Sequence, residues 1–149
     1  DIEVQSSKLK ALKANSSYYA TATDEYPILF VIAALTKGAS VFKGIEDLAN
    51  KESNRIEEMK KILNQVGIKC KSSKYEMKIF GKSNIKKRKN IIKVPNLGDH
   101  RICMSSVILS LVTGNKAEIN NFETVRTSSP SFLQIIKSLG GNFEIKKRS

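Results

Sequence analysis

Two apolar segments constrain the fold of this chain more than any other feature. "DEYPILFVIAALTKG" runs from Asp24 to Gly38, and "DHRICMSSVILSLVTG" runs from Asp99 to Gly114. In the first, Ile28, Leu29, Val31, Ile32, Ala33, Ala34 and Leu35 leave few polar positions. In the second, Ile102, Met104, Val107, Ile108, Leu109, Leu111 and Val112 do the same. A helix without a polar face needs cover on all sides. The pattern predicts two helices inside the molecule and strands outside them, the reverse of a sheet sandwiched between helices. No uninterrupted apolar run is long enough to span a bilayer, so no membrane partner is expected.

The two segments also open an internal repeat. Each starts with Asp and ends at a glycine, Gly38 or Gly114, the residue type that commonly follows a helix end. A short strand follows each, Ser40 to Lys43 or Ala117 to Asn120. A second, amphipathic helix comes next and stops at Gly67 or Gly140. Another strand closes each copy, Lys69 to Ser72 or Asn142 to Ile145. The first copy adds a strand from Glu76 to Phe80, and Ile91 to Val94 leads into the second. The repeats span about 24–80 and 91–146 of one domain, 1–149. "DIEVQSSKL" at the start alternates like a further strand.

The net charge is +12. Such a field favours anions: nucleic acid, acidic lipid or phosphorylated small molecules. The excess is mostly lysine and spread along the chain, which reads as a general surface bias. "NIKKRKN" (Asn84 to Asn90) reads as a solvated turn. It lacks the interleaved aromatics of a single-strand binder and the reading helix of a duplex binder, so no nucleic-acid partner is expected. Cys70 and Cys103 stand far apart without a CxxC, which argues for free thiols in a reducing compartment. With one histidine, a multi-histidine metal site is excluded. The start at Asp1, without a methionine, leads us to expect a processed or truncated product.

"LANKESNRIEEMKK" (Leu48 to Lys61) opens the amphipathic helix of the first copy, with Ile56, Met59, Leu63 and Val66 as its apolar stripe. Ser53 or Asn54 is the expected N-cap. Ahead of the stripe stand Lys51, Glu52 and Arg55, and equivalent junctions of a repeat tend to fall on one face. That face would carry Lys51, Arg55 and Arg101 as anion holders, with Asp24, Glu52 and His100 as proton-transfer candidates. Arginine's planar fork suits carboxylate and phosphate oxygens, and helix N-termini favour anions. Pairing of these charges among themselves is the alternative reading.

"DEYP", "KESNRI" and "GDHRICMS", each opening a helix and in this order, resemble the motifs of the 5-enolpyruvylshikimate-3-phosphate synthase family (3-phosphoshikimate 1-carboxyvinyltransferases). "SSKLK" and "SSPSF" fit as well, and the resemblance covers essentially the whole chain. It implies an α/β (α+β) fold of repeated βαβαββ units, with parallel helices buried inside a prism of sheets. It makes this chain a partial C-terminal domain without its N-terminal partner domain. It implies a cytoplasmic enzyme of aromatic amino acid biosynthesis, using phosphoenolpyruvate and shikimate 3-phosphate with no metal or organic cofactor, and a fragment inactive by itself. Asp24 matches the aspartate at the shikimate hydroxyls that accepts a proton. Lys51 matches the lysine near the attacking hydroxyl, and Glu52 the glutamate of proton transfer to phosphoenolpyruvate. Arg55 and Arg101 match the phosphoenolpyruvate clamp, and His100 the histidine beside it. Asn54 replaces an aspartate common in the family, a loss of charge expected to loosen Arg55. Thr127 stands where some members have a lysine for phosphoenolpyruvate, with Arg126 adjacent. The alternatives are an enolpyruvyl transferase acting on a UDP-amino sugar, which shares fold and chemistry, and a basic nucleic-acid-binding module.

Overall fold

In the computed structural model, which describes residues 1–147, regular structure begins with the short strand β1 (Lys13–Ala14). The stretch before it stays exposed and forms no strand, contrary to the alternation of "DIEVQSSKL". Its apolar residues Ile2 and Val4 are 92% and 87% exposed, so no apolar face holds them against a sheet. Next come α1 (Ser16–Ala22), a 3-10 turn (Thr23–Glu25) and α2 (Tyr26–Ala34). Strand β2 (Gly38–Lys43), a second 3-10 turn (Glu46–Asn50) and α3 (Arg55–Gln65) follow. Strands β3 (Lys69–Ser72) and β4 (Glu76–Gly81) form a hairpin. Beyond it lie β5 (Ile92–Val94), α4 (His100–Thr113), β6 (Ala117–Ile119), α5 (Glu123–Ser128) and α6 (Phe132–Ser138).

Four strands form one sheet in the order β1-β2-β4-β3, with β1 and β2 parallel and the other pairs antiparallel. β5 and β6 pair in parallel as a second, two-stranded sheet. α2 packs on α4, and α3 packs on both. The core joins Tyr26 and Phe30 of α2, Phe42 of β2, Met77 and Ile79 of β4, and Ile56, Met59 and Leu63 of α3. The rings of Tyr26, Phe30 and Phe42 meet edge to face at 5.1–6.0 Å, a favourable packing of their quadrupoles. A smaller cluster of Cys103, Val125, Phe132 and Ile136 holds α5 and α6 on α4.

Three boundaries differ from the sequence reading. α2 ends at Ala34, before the Lys37-Gly38 pair, and Gly38 opens β2. The strand β4 accounts for this. Gly81 runs so close to the end of α2 that a Cβ there would fall 2.0 Å from the Thr36 carbonyl oxygen, and Lys82 N donates to Ala34 O at 3.0 Å. The end of the helix is capped by a neighbouring strand. Second, the stretch from Leu48 is a 3-10 turn and a loop instead of part of the helix, while α3 starts at Arg55 after Asn54, one of the two expected N-caps, with Val66 as its C-cap. Third, Asn142 to Ile145 forms no strand. In the first copy the equivalent β3 pairs only with β4. Among the described residues no strand follows 142–145 as β4 follows β3, so this stretch has no ladder. By contrast, Gly114 ends α4 in a left-handed conformation (φ 69), as expected of such a glycine.

The interior helices are not covered all round. Ile32 of α2 is 40% exposed, and Leu111 and Val112 of α4 are 43% and 53% exposed. The two sheets and α3 cover much of both helices. No helix among the described residues is long and apolar enough to cross a membrane.

Asn54 is the N-cap of α3, its side chain accepting from Glu57 N at 3.2 Å. It makes no side-chain hydrogen bond to Arg55, whose guanidinium is held by Asp99, Asp24 and Glu52. Asn54→Ala should lower stability by about 1 kcal/mol, and Asn54→Asp should restore it, as read by urea unfolding. An Asn54→Ala protein as stable as the parent would remove the cap from this account.

Candidate active site

The apolar helices bring their first residues together. Asp24 stands just before α2, and Asp99 is the N-cap of α4, accepting from Arg101 N at 3.1 Å and Ile102 N at 3.4 Å. These are equivalent positions of the two copies, and Arg55 holds both. Its Nε donates to Asp99 Oδ2 at 3.0 Å, its Nη2 to Asp99 Oδ1 at 3.2 Å, and its Nη1 to Asp24 Oδ1 at 3.3 Å. Nη2 also donates to Glu52 Oε2 at 2.7 Å. Since α2 and α4 pack along each other with these ends adjacent, they run parallel, and their positive dipole ends face the same cluster.

Arg55 is 1% exposed. A guanidinium that deep is tolerable only when paired and hydrogen-bonded. Burial works against its charge, but the hydrogen bonds to Asp99 and the charges of Asp99 and Glu52 outweigh this and raise its pKa. Asp99 is wholly buried. Burial by itself would raise its carboxyl, yet the hydrogen bonds from Arg55 and Ser53 and the Arg55 charge hold it below the usual carboxylate range. Ser53 Oγ donates to Asp99 Oδ2 at 2.8 Å. The two candidate caps of "KESNR" thus divide the work: Asn54 caps α3, while Ser53 ties its loop to α4.

The other expected residues surround this pair. Arg101 lies in the first turn of α4, its Nη2 3.8 Å from Asp24 Oδ2, with 37% of its side chain exposed. Asp24 and Glu52 are about half exposed, at 51% and 48%. Lys51 does not pair with them. Its Nζ sits 3.1 Å from Asp47 Oδ2, which also accepts from Tyr19 OH at 3.0 Å. Hydrogen bonds from Lys51 and Tyr19 lower the Asp47 pKa. Burial, and then the bond to Asp47, push the Tyr19 hydroxyl well above the ordinary phenol range. His100 is half-buried at the first position of α4, and its imidazole makes no hydrogen bond or ion pair to a described residue. Arg126 stays apart from the cluster, paired with Glu123 at 3.2 Å on α5, and Thr127 Oγ1 bonds the Glu123 carbonyl.

The cluster is therefore not an open cationic patch. Asp24, Glu52 and Asp99 face Arg55 and Arg101, and Lys51 is matched by Asp47. The alternative reading, pairing of these charges among themselves, describes the structure: Arg55 is saturated by carboxylates, Arg101 faces Asp24 and Lys51 faces Asp47, with 37% and 27% of the Arg101 and Lys51 side chains exposed. Asp99, Asp47 and Tyr19 were not singled out from sequence, and Ser53 only as a candidate N-cap. An Asp directly before an apolar helix, at the repeat position equivalent to Asp24, was the available signal for Asp99. The described residues contain no group of three or more His, Cys, Asp and Glu placed to hold a metal ion. Both cysteines are free and buried, and burial pushes their thiols up to about 11.

Known proteins share both the sequence and the shape. The family model of EPSP synthase (3-phosphoshikimate 1-carboxyvinyltransferase) matches residues 1–136. A 3-phosphoshikimate 1-carboxyvinyltransferase of Hydrogenovibrio crunogenus is 34% identical over 142 residues, 95% of this chain and 31% of that protein. One of Campylobacter jejuni is 35% identical over 144 residues, 97% of this chain and 32% of that protein. The EPSP synthase structure of Acinetobacter baumannii superposes with a TM-score of 0.79 at 29% identity, over 94% of this chain and 32% of that one. The chain thus spans about a third of the length of the relatives it matches. With its motifs, its paired helices and its fold all matching, the chain belongs to the EPSP synthase family, as a segment with the α/β enolpyruvyl transferase fold.

Proposed function

We propose that this chain is part of the C-terminal domain of a cytoplasmic enzyme that transfers the enolpyruvyl group of phosphoenolpyruvate to a hydroxyl of shikimate 3-phosphate and releases phosphate. The observation that carries the reading is the Asp24 carboxylate, shared by Arg55 and Arg101 at the ends of two equivalent helices. Family membership supports the reaction class.

In this reading Arg101 and Lys51, partly exposed, meet the incoming anions first. Phosphoenolpyruvate then reaches Arg55 by taking the place of Asp24 and Glu52, whose carboxylates are half exposed and so move at little cost. Asp99 remains behind as the buried counterion. The exchange moves two carboxylates off an arginine and makes them available for proton transfer. Glu52, protonated from solvent once it leaves the arginine, gives that proton to the vinyl carbon, the acceptor hydroxyl attacks the adjacent carbon, and Asp24 takes the hydroxyl proton. Glu52, again a carboxylate, takes a methyl proton back, which restores the double bond as phosphate leaves with the proton held by Asp24. His100, without a hydrogen-bond or ion-pair partner among the described residues, serves beside the clamp in this reading.

Transfer needs both substrates held in contact, and the chain spans only a third of its relatives. The exposed Ile32, Leu111 and Val112 fit a face that the rest of the enzyme covers. The 149-residue chain should therefore give no phosphate above background from the two substrates. The same chain joined to the remaining two thirds of a relative should release phosphate only when shikimate 3-phosphate is present. Turnover by the chain alone would show that the segment is self-sufficient. A folded joined protein that stays silent, or that prefers a UDP-amino sugar as acceptor, would refute the assigned reaction.

A further inference from the structure

The candidate site does not account for the charge of the chain. Its acids and cations nearly cancel, so the net +12 lies elsewhere. Part of it is concentrated on the outer face of the four-stranded sheet. Cys70 of β3, Met77 and Ile79 of β4 and Phe42 of β2 turn into the core. Alternation then sends Lys69, Lys71, Lys78, Phe80 and Lys43 outward, and Lys13 lies beside Val41 on the same face. Among the described residues of these strands Glu76 is the only acid.

The register makes this an unfavourable arrangement for the free protein. Lys71 lies directly opposite Lys78, and Lys69 opposite Phe80. Like charges directly opposite destabilise a ladder. Both ammonium groups also lean over one ring: Lys78 Nζ is 5.2 Å and Lys71 Nζ 6.0 Å from the Phe80 centroid. The ring attracts each of them, but neither has an acidic partner among the described residues. An anionic ligand that draws the ammonium groups away would relieve their repulsion and uncover the ring.

We propose that this face binds single-stranded nucleic acid, with backbone phosphates on Lys69, Lys71 and Lys78 and a base stacked on Phe80. Alternate residues of a strand stand about 6.6–6.8 Å apart and neighbouring strands about 4.8 Å apart, so the lysines form a grid along which a flexible phosphate backbone can lie. Phe80 selects the ligand class. Every base has a face that stacks on an aromatic ring, whereas an acidic peptide would neutralise the lysines and leave the ring unused. Duplex readout requires an element that enters a groove, which an open sheet face does not supply. The expectation of no nucleic-acid partner was drawn from residues 84–90; this face is set by the register of the β3–β4 hairpin, where outward lysines alternate with buried residues and form no basic run.

The test is fluorescence anisotropy of a labelled oligothymidylate, about 12 nucleotides long, titrated with the 149-residue chain at several salt concentrations. Saturable binding is expected, weakening with salt at a log–log slope of about −2 to −3, for three or four phosphate contacts. Lys71→Gln with Lys78→Gln should weaken binding at least about tenfold and flatten the slope by about 1.4. Phe80→Ala should also weaken binding about tenfold but leave the slope unchanged, the signature of lost stacking. Lys71→Glu should bind worse yet melt at a higher temperature, because it places opposite charges across the ladder. Replacing Lys86, Lys87 and Lys89 by Gln should change affinity less than about twofold, since these contribute only to the distant field. No saturable binding, an unaffected Phe80→Ala, or a loss that follows the 84–90 variant would each overturn the proposal. So would equal competition by polyglutamate or by vesicles of anionic lipid, which would make the face a general anion surface.

Discussion

Replacing Arg55 by Ala is expected to lower the stability of the chain by about 3–5 kcal/mol, because it leaves the buried Asp99 carboxylate without its counterion. With a urea dependence of about 1–2 kcal/mol/M, the unfolding midpoint should fall by about 1.5–5 M. Arg55→Lys should recover little, since an ammonium keeps the charge but cannot hold three carboxylates through a planar fork. Arg55→Met combined with Asp99→Asn should recover at least half of the loss. It removes both charges, and Asn retains the acceptor that caps α4.

The effect has a definite pH dependence. The Asp99 pKa is depressed in the folded state. Its contribution is complete above the unfolded value of about 4 and is lost as pH falls through the folded value. The gap between parent and Arg55→Ala should therefore narrow below about pH 4. An Arg55→Ala chain within about 1 kcal/mol of the parent at pH 7 would show that Arg55 is not the clasp between the two copies. The consequence for function is that Arg55→Ala does not report on anion binding alone. Arg101→Ala is the informative variant in the complete enzyme, with an expected loss of phosphoenolpyruvate affinity of about tenfold to a hundredfold.

Asp24→Asn in the complete enzyme should slow the single-turnover rate by about 10²–10⁴-fold, the usual contribution of a positioned proton-transfer group. The fold should survive. Asp24 is half exposed, and pairs of that kind contribute at most about 1 kcal/mol. Asn also keeps an oxygen for Arg55, so phosphoenolpyruvate affinity should change far less than the rate. Reaction at the parental rate would remove Asp24 from proton transfer. A loss of stability as large as that of Arg55→Ala would make it a structural residue.

Much of the architecture was legible because it is local. Helices and strands announce themselves through the period of their apolar residues, and Gly114 and Gly67 mark helix ends through their backbone preference. The two apolar helices, the amphipathic α3 and the β3–β4 hairpin all stand where that pattern puts them. The convergence of Asp24, Arg55, Glu52 and Arg101 followed from one further step, the repeat, which maps equivalent junctions onto one face. Strand 142–145 failed because a strand is not a local object: its pattern is present, but the partner that would take its hydrogen bonds is not. The early end of α2 was likewise decided from outside, by the backbone of Gly81 and Lys82.

The chemistry of the site was less legible than its location. Residue types identify Arg55 as a fork for anions, but only packing decides which anions it holds. Burial to 1% exposure leaves that guanidinium no water, and three carboxylates from three separate stretches of chain take water's place. In sequence, Asn54 is adjacent to Arg55 and Asp99 is distant from it. In the fold Asn54 turns away to cap α3, and Asp99 makes the deepest bond. The lysine face of the sheet follows the same logic. Lys71 and Lys78 become opposite neighbours only through the register of the hairpin. Sequence by itself determined the two apolar helices, the amphipathic α3, the β3–β4 hairpin and the family. Tertiary structure decided which charges meet, because the strength of a charge pair depends on burial and distance, and neither is a property of sequence neighbours.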